Sequence, residues 1–188
     1  MDLYLIRHTL PGVPPGVCYG QADVDVAESF ESEAAAVLAK LDGIVPAACY
    51  SSPLRRCAKL AAALTTGEVR HDPRLMELSF GSWEMRRWED IPRPALDRWG
   101  QAFVEEAPPG GESLRALHGR VQGFLRDARA CSHDGPVLAI THAGVIRVLL
   151  AEALGLPLEA VFRFHLDYGG VTRLHFQSAL PTVEYVNR

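Results

Sequence analysis

Two histidines standing at the ends of apolar runs carry the first chemical signal in the chain. Leu3-Tyr4-Leu5-Ile6 leads into Arg7-His8, and Val137-Leu138-Ala139-Ile140 leads into Thr141-His142-Ala143-Gly144. Imidazoles near neutral pH act as bases, nucleophiles or metal ligands. A metal pair needs a third ligand, and neither H-x-H nor H-x-x-x-H spacing is present to support it. The other reading is a cluster of cations, Arg7, His8, Arg56 and His142, around a phosphate, with Glu77 as proton donor. Arginines repel a metal ion and match phosphoryl oxygens, which favours the second reading. Glu77 lies between Met76 and Leu78, where apolar surroundings would raise its pKa and suit a general acid; an exposed loop glutamate is the plain alternative. His71, His118, His133, His165 and His175 lack such neighbours and read as packed or surface residues.

The elements that must position these groups can be read from the pattern. Bounded apolar runs rich in β-formers are buried strands, and in open α/β sheets ligand chemistry collects beyond their carboxyl ends. The Pro- and Gly-rich stretch Leu10–Gly20 is a loop at the edge of such a site. Glu28–Leu41 reads as a helix with Phe30, Val37, Leu38 and Leu41 on one face, and Pro46–Tyr50 as a short strand. Ser52 is expected as N-cap and Pro53 as first residue of a helix to about Leu64, with Leu54, Ala61 and Leu64 inward. Arg55 and Arg56 oppose the dipole of that helix. A bound anion would explain them, and so would simple solvent exposure.

Glu68–Asp72 is a further strand candidate. Residues 85–110, with Trp88, Trp99 and Phe103 among charged residues, read either as a small helical lid over the sheet edge or as a helical hairpin packed on the body. Ser113 caps a helix to about Ala130, and Gly144–Leu154 is a helix stopped by Gly155. Phe162–Tyr168, Gly169-Gly170 and Val171–Phe176 give a hairpin signal and an antiparallel edge; Thr182–Val186 adds a last short strand.

The chain of 188 residues is long enough to bury one core, and no composition shift marks a boundary within 1–188. Nineteen basic against 23 acidic residues leave a net charge of −4, which argues against nucleic acid or an anionic membrane as partner. No apolar run approaches the roughly 20 residues of a membrane span, and the start lacks a signal-like pattern, so the cytoplasm is the expected location. Cys18, Cys49, Cys57 and Cys131 form no C-x-x-C pair; Cys49 and Cys57 read as core, Cys18 as a semi-exposed structural thiol.

Four blocks in order, Leu5-Ile6-Arg7-His8, Ser51-Ser52-Pro53-Leu54-Arg55-Arg56-Cys57, Leu75 to Glu84, and Thr141-His142-Ala143-Gly144-Val145-Ile146-Arg147, resemble the histidine phosphatase (phosphoglycerate mutase-like) superfamily. The resemblance implies a three-layer α/β/α fold with a mainly parallel sheet. It also implies His8 as the phosphorylated residue, Arg7, Arg56 and His142 as phosphoryl ligands, and Glu77 as proton donor, without metal or other cofactor.

Gly16–Asp23, Phe80–Glu84 with Trp88, and Pro109–Ser113 are similar to α-ribazole phosphatases of cobalamin biosynthesis. On that likeness Thr9, Tyr19, Gly20, Gln21, Ala143 and Trp88 are the expected substrate contacts, and the partner is a small-molecule phosphomonoester, with a homodimer left open. A broader small-molecule phosphatase, a phosphoglycerate mutase and a non-catalytic phosphate-binding protein are the alternatives. Two departures stand out: Thr9 and Met85 occupy positions where the family commonly has glycine.

Overall fold

In strand β1 (Asp2–Arg7), Leu3 and Leu5 face one helical layer while Tyr4 and Ile6 face the other. Strand β6 (Val137–Thr141) splits in the same way, Val137 and Ala139 to one core and Leu138 and Ile140 to the other. Period-two alternation with both faces apolar is the mark of a strand covered on both sides. Each fully buried Leu or Ile contributes about 1.5–3 kcal/mol. The computed structural model describes residues 1–131, 134–178 and 180–188, so His133 lies outside the described residues.

The sheet has six strands in the order β4 (Val69–His71), β3 (Ala48–Ser51), β6, β1, β7 (Val171–His175) and β8 (Thr182–Tyr185). β4, β3, β6 and β1 run parallel, while β7 and β8 form an antiparallel edge. Helices α1 (Phe30–Lys40) and α2 (Arg55–Leu64) pack on the Tyr4/Ile6 face, and α4 (Leu114–Ala130) and α5 (Ala143–Ala153) on the Leu3/Leu5 face. This is the expected α/β arrangement. Apart from this sheet, a two-residue ribbon joins β2 (Val17–Cys18) to β5 (Arg86–Arg87), and α3 (Arg93–Ala102) follows. Among the described residues no helix is long and apolar enough to cross a membrane.

Register fixes the site. Arg7 stands opposite Thr141 in the parallel β1–β6 pair, and His8 N–H bonds the Thr141 carbonyl at 3.0 Å, so both histidines leave the sheet side by side. Ser52 N–H bonds the Ile140 carbonyl at 2.9 Å and brings the end of β3 to the same level.

Several expectations are corrected. In α1 Ala34 is buried and Leu38 is 50% exposed, because the inward face runs through Phe30, Ala34, Val37 and Leu41. Helix α2 starts at Arg55, behind an extended Leu54, rather than at Pro53; Ser52 accepts the Leu54 N–H at 3.3 Å. Gly169-Gly170 does not turn a hairpin. Residues Leu158–Arg163 form a 3-10 helix, and the glycines dock on β1, Gly169 N–H reaching the Arg7 and His8 carbonyls at 3.2 Å. The antiparallel edge comes instead from β7 beside β1. Cys18 is 2% exposed, not semi-exposed, and burial pushes its thiol up to about 12.

Candidate active site

His8 is 1% exposed, and its Nδ1 lies 2.7 Å from the Thr9 carbonyl. A carbonyl only accepts, so Nδ1 carries the proton and Nε2 keeps its lone pair. Burial first, then the Arg56 charge, holds this imidazole well below its ordinary value of 6.5, against the opposing effect of the Thr9 bond. The ring is therefore neutral at pH 7, the form able to attack phosphorus.

His142, fully buried, stands with its ring centroid 5.1 Å from that of His8. Arg56 Nη2 donates to His142 Nδ1 at 3.3 Å, which makes Nε2 the protonated nitrogen that donates to Ser52 Oγ at 2.8 Å. Burial, then His8 and Arg56, lower its pKa well below 6.5.

The two guanidinium groups are held from behind by backbone. Arg56 donates to Gly20 O at 2.7 Å and Ala22 O at 2.9 Å, and Arg7 donates to Leu166 O at 2.5 Å. Each leaves its Nε–H buried with no hydrogen-bond partner. An unpaired buried donor costs about 1–3 kcal/mol, which a phosphoryl oxygen would offset. The arginine pair that α2 begins with is split: Arg56 turns inward, while Arg55 pairs with Asp23 and Asp25, and Asp23 also takes the Arg55 N–H at 2.6 Å. The anion at this helix N-terminus is thus the protein's own carboxylate.

Glu77 is anchored by amides rather than enclosed by Met76 and Leu78. Its carboxylate accepts Leu78 N–H at 2.9 Å and Gly144 N–H at 3.1 Å, at the start of α5. A Cβ on Gly144 would collide with Glu77 Oε1, so only glycine admits the carboxylate there. Arg120 fixes the loop from below, donating to the carbonyls of Arg74, Met76 and Glu77 and pairing with Glu112. Glu77 and Arg7 line one cavity, and a carboxyl group there is of the type that serves a phosphoryl transfer as general acid.

Residues 3–188 match the sequence model of the histidine phosphatase superfamily (branch 1). The chain belongs to this family. It is 27% identical, over all of its length and 96% of the relative's, to the adenosylcobalamin/alpha-ribazole phosphatase of Escherichia coli K12. It is 26% identical to phosphoserine phosphatase 1 of Hydrogenobacter thermophilus, covering 100% of this chain and 92% of that one. The crystal structure of the alpha-ribazole phosphatase from Shigella flexneri superposes with a TM-score of 0.91 at 26% identity, covering 100% of this chain and 96% of that one.

As a histidine phosphatase the chain is a phosphatase hydrolase, and the cavity lined by Arg7 and Glu77 is informative. A space of about 600 Å³ opens beside Arg7 and Glu77, walled by Pro11, Val17, Phe80, Trp88 and Phe162. Of the expected substrate contacts, Tyr19, Gly20, Trp88 and Ala143 line it; Thr9 and Gln21 do not. Thr9 is fully buried with its hydroxyl unpartnered, and Gln21 spends its side-chain amide on the Glu77 carbonyl at 2.8 Å.

Other groups at this histidine phosphatase site had no individual signal in the sequence. Tyr168 lies under Arg7, with Cζ 3.8 Å from the ring centroid, and its hydroxyl meets that of Tyr19 at 3.0 Å. Glu84 accepts the amides of Gln21 and Phe80, both at 2.9 Å, and Glu112 receives Ser79 N–H at 3.4 Å. Both glutamates sat inside blocks that carried the resemblance, yet spacing alone assigned them nothing. Met85, in the position where glycine is common, adopts φ +64°, the left-handed region that disfavours a side chain.

Proposed function

We propose that the protein hydrolyses a small-molecule phosphomonoester through a phosphohistidine, without a metal ion. The observation that carries this reading is the His8 tautomer: Nδ1–H held by Thr9 O leaves Nε2 as the nucleophile beside two arginines with unpartnered Nε–H groups. In the first step Nε2 forms a bond to phosphorus, the P–O ester bond breaks, and protonated Glu77 gives its proton to the departing alkoxide. In the second, water attacks the phosphoimidazole, Glu77 takes its proton, and the N–P bond breaks to free phosphate and neutral His8. Arg7 and Arg56 hold the phosphoryl oxygens through both steps, joined by His142 as its Nε2–H swings from Ser52 Oγ to a phosphoryl oxygen.

The substrate that fits best is α-ribazole 5′-phosphate. Its flat base suits the apolar cavity with Phe80 and Trp88 in its wall, and the relatives named for alpha-ribazole support the same choice. Phosphoserine, small and zwitterionic, would leave most of that cavity unfilled. In this reading 1–188 is a single histidine phosphatase-like unit, with 85–110 as the lid over the leaving group and Tyr19, Gly20, Ala143 and Trp88 against the substrate.

The test is trapping of labelled protein in alkaline denaturant during turnover of phosphorus-labelled α-ribazole 5′-phosphate with EDTA present. Acid-labile, base-stable label is expected on wild type and absent from His8→Ala, whose kcat falls by about 10³-fold or more. Unchanged turnover by His8→Ala would overturn the assignment.

A further inference from the structure

Six arginines of the described residues are not fully exposed: Arg7, Arg56, Arg74, Arg120, Arg147 and Arg173. Three are matched by carboxylates, Arg74 by Asp72, Arg120 by Glu112 and Arg173 by Asp2. No carboxylate of the described residues forms an ion pair with the other three; Arg7 and Arg147 line one cavity, and Arg56 lies over the Tyr19 ring in its wall. Taking a cation from water without an anion is costly, so such groups persist where a ligand completes them. Arg7 and Arg56 serve the phosphoryl group in the reading above. Arg147 is left over.

Arg147 lies one residue short of a full turn beyond Gly144 on α5, which places both on one helix face, about 4.5 Å apart along the axis. Both residues line the 600 Å³ cavity. Its Nε–H donates to Phe164 O at 3.1 Å, and its Cζ sits 5.6 Å from the Phe162 ring centroid. Those contacts occupy the Nε edge and one flat face. The two Nη groups make no hydrogen bond to the protein among the described residues and are not sealed from the cavity. Burial, with Arg7 adding to it and Glu77 opposing, pulls this guanidinium below its usual pKa, the signature of a cation short of partners.

We propose that Arg147 is a specificity-determining residue whose Nη groups donate to an oxygen acceptor on the alcohol half of the phosphate ester. The inference rests on the phosphatase reading of the site and adds a second recognition point to it. Apolar walls select for bulk and flatness; a fixed donor fork beyond the phosphate selects for an oxygen at one distance from the ester. A sugar hydroxyl and a carboxylate both supply that acceptor, and the two differ in charge.

Three esters separate the cases: phenyl phosphate, with no acceptor on its alcohol half, α-ribazole 5′-phosphate, with neutral hydroxyls, and O-phosphoserine, with a carboxylate. In Arg147→Met the kcat/KM ratio of one acceptor-bearing ester to phenyl phosphate is expected to fall tenfold or more, mainly through KM. Loss on α-ribazole 5′-phosphate identifies a hydroxyl acceptor, and loss on O-phosphoserine a carboxylate. Arg147→Lys, which keeps charge but not the fork, should recover only part of the ratio. The melting temperature of Arg147→Met should hold or rise, since an unmatched cation is removed; a purely structural arginine would lower it. If all three rates fall together, or the ratios stay flat, the proposal is overturned while the phosphatase reading stands. If wild type hydrolyses none of the three, the reading of the site fails and the Arg147 subsite falls with it.

Discussion

At the end of the site proposed to hold the phosphate, Arg7, His8 and His142 leave β1 and β6 in a register set by strand pairing, and backbone carbonyls hold the guanidinium groups. At the end proposed for the leaving group, Pro11 arrives on a loop, Val17 on a ribbon of two residues per strand, and Trp88 and Phe162 on short 3-10 helices. The first end shows two buried arginine Nε–H groups without partners, and the second a broad apolar wall with Arg147 as its cation. Chemistry is fixed by the sheet, then, while selectivity is delegated to segments that can change without disturbing it.

The sharpest way to break this contrast is at Gly144. A methyl group there displaces Glu77, so Gly144→Ala should lower kcat by about 10²-fold or more on alkyl phosphates, with KM little changed. Equal activity in steady-state assays would show that the carboxylate has room to move.

Acid should reach the phosphate end next. His8 and His142 both have folded pKa values well below 6.5, so the unfolded chain binds protons first as pH drops. Stability is therefore full above about pH 6.5 and declines below it, by up to about 1.4 kcal/mol per pH unit for each histidine. Urea melts from pH 7.5 to 5 should show that slope in wild type and a shallower one in a folded His8→Asn protein. Parallel slopes would mean that His8 titrates normally.

The leaving-group end should respond to substrate identity instead. Trp88→Ala is expected to raise KM for α-ribazole 5′-phosphate about tenfold, the scale of one lost ring contact, with a much smaller effect on phenyl phosphate. An equal loss on both would place Trp88 in the phosphate machinery and erase the division. The smallest effect belongs to Met85, at φ +64°: Met85→Gly relieves a left-handed side chain and should change stability by no more than about 1 kcal/mol, toward greater stability. A clear loss in thermal melts would mean that the methionine side chain, 55% exposed, still packs usefully.

What could be read in the sequence divides along the same line. Strand alternation and the Arg-His and Thr-His endings are local patterns, so β1, β6 and the two histidines were visible before any coordinates. Ser113 as a cap was equally local, its Oγ accepting Ala116 N–H at 3.2 Å. The β2–β5 ribbon was not visible, because two-residue strands carry no period. Tyr168 was hidden behind a Gly-Gly pair that imitated a hairpin, although Gly170 is there for close approach: a Cβ would strike Asn187 Oδ1. Arg120 lies mid-helix, where one arginine resembles any other until the carbonyls above it are in place.

The placement of β1 between β6 and β7 has a consequence for how the molecule comes into being. Leu3 pairs with Val137 on one side and Leu174 on the other, partners made long after it during synthesis. Its segment must wait, both flanks bare, until those two downstream strands have been translated, and such distant pairings slow folding. Arg7 meets its Leu166 and Gly170 tethers only then, so an unfinished chain on the ribosome holds the proposed nucleophile without its cradle.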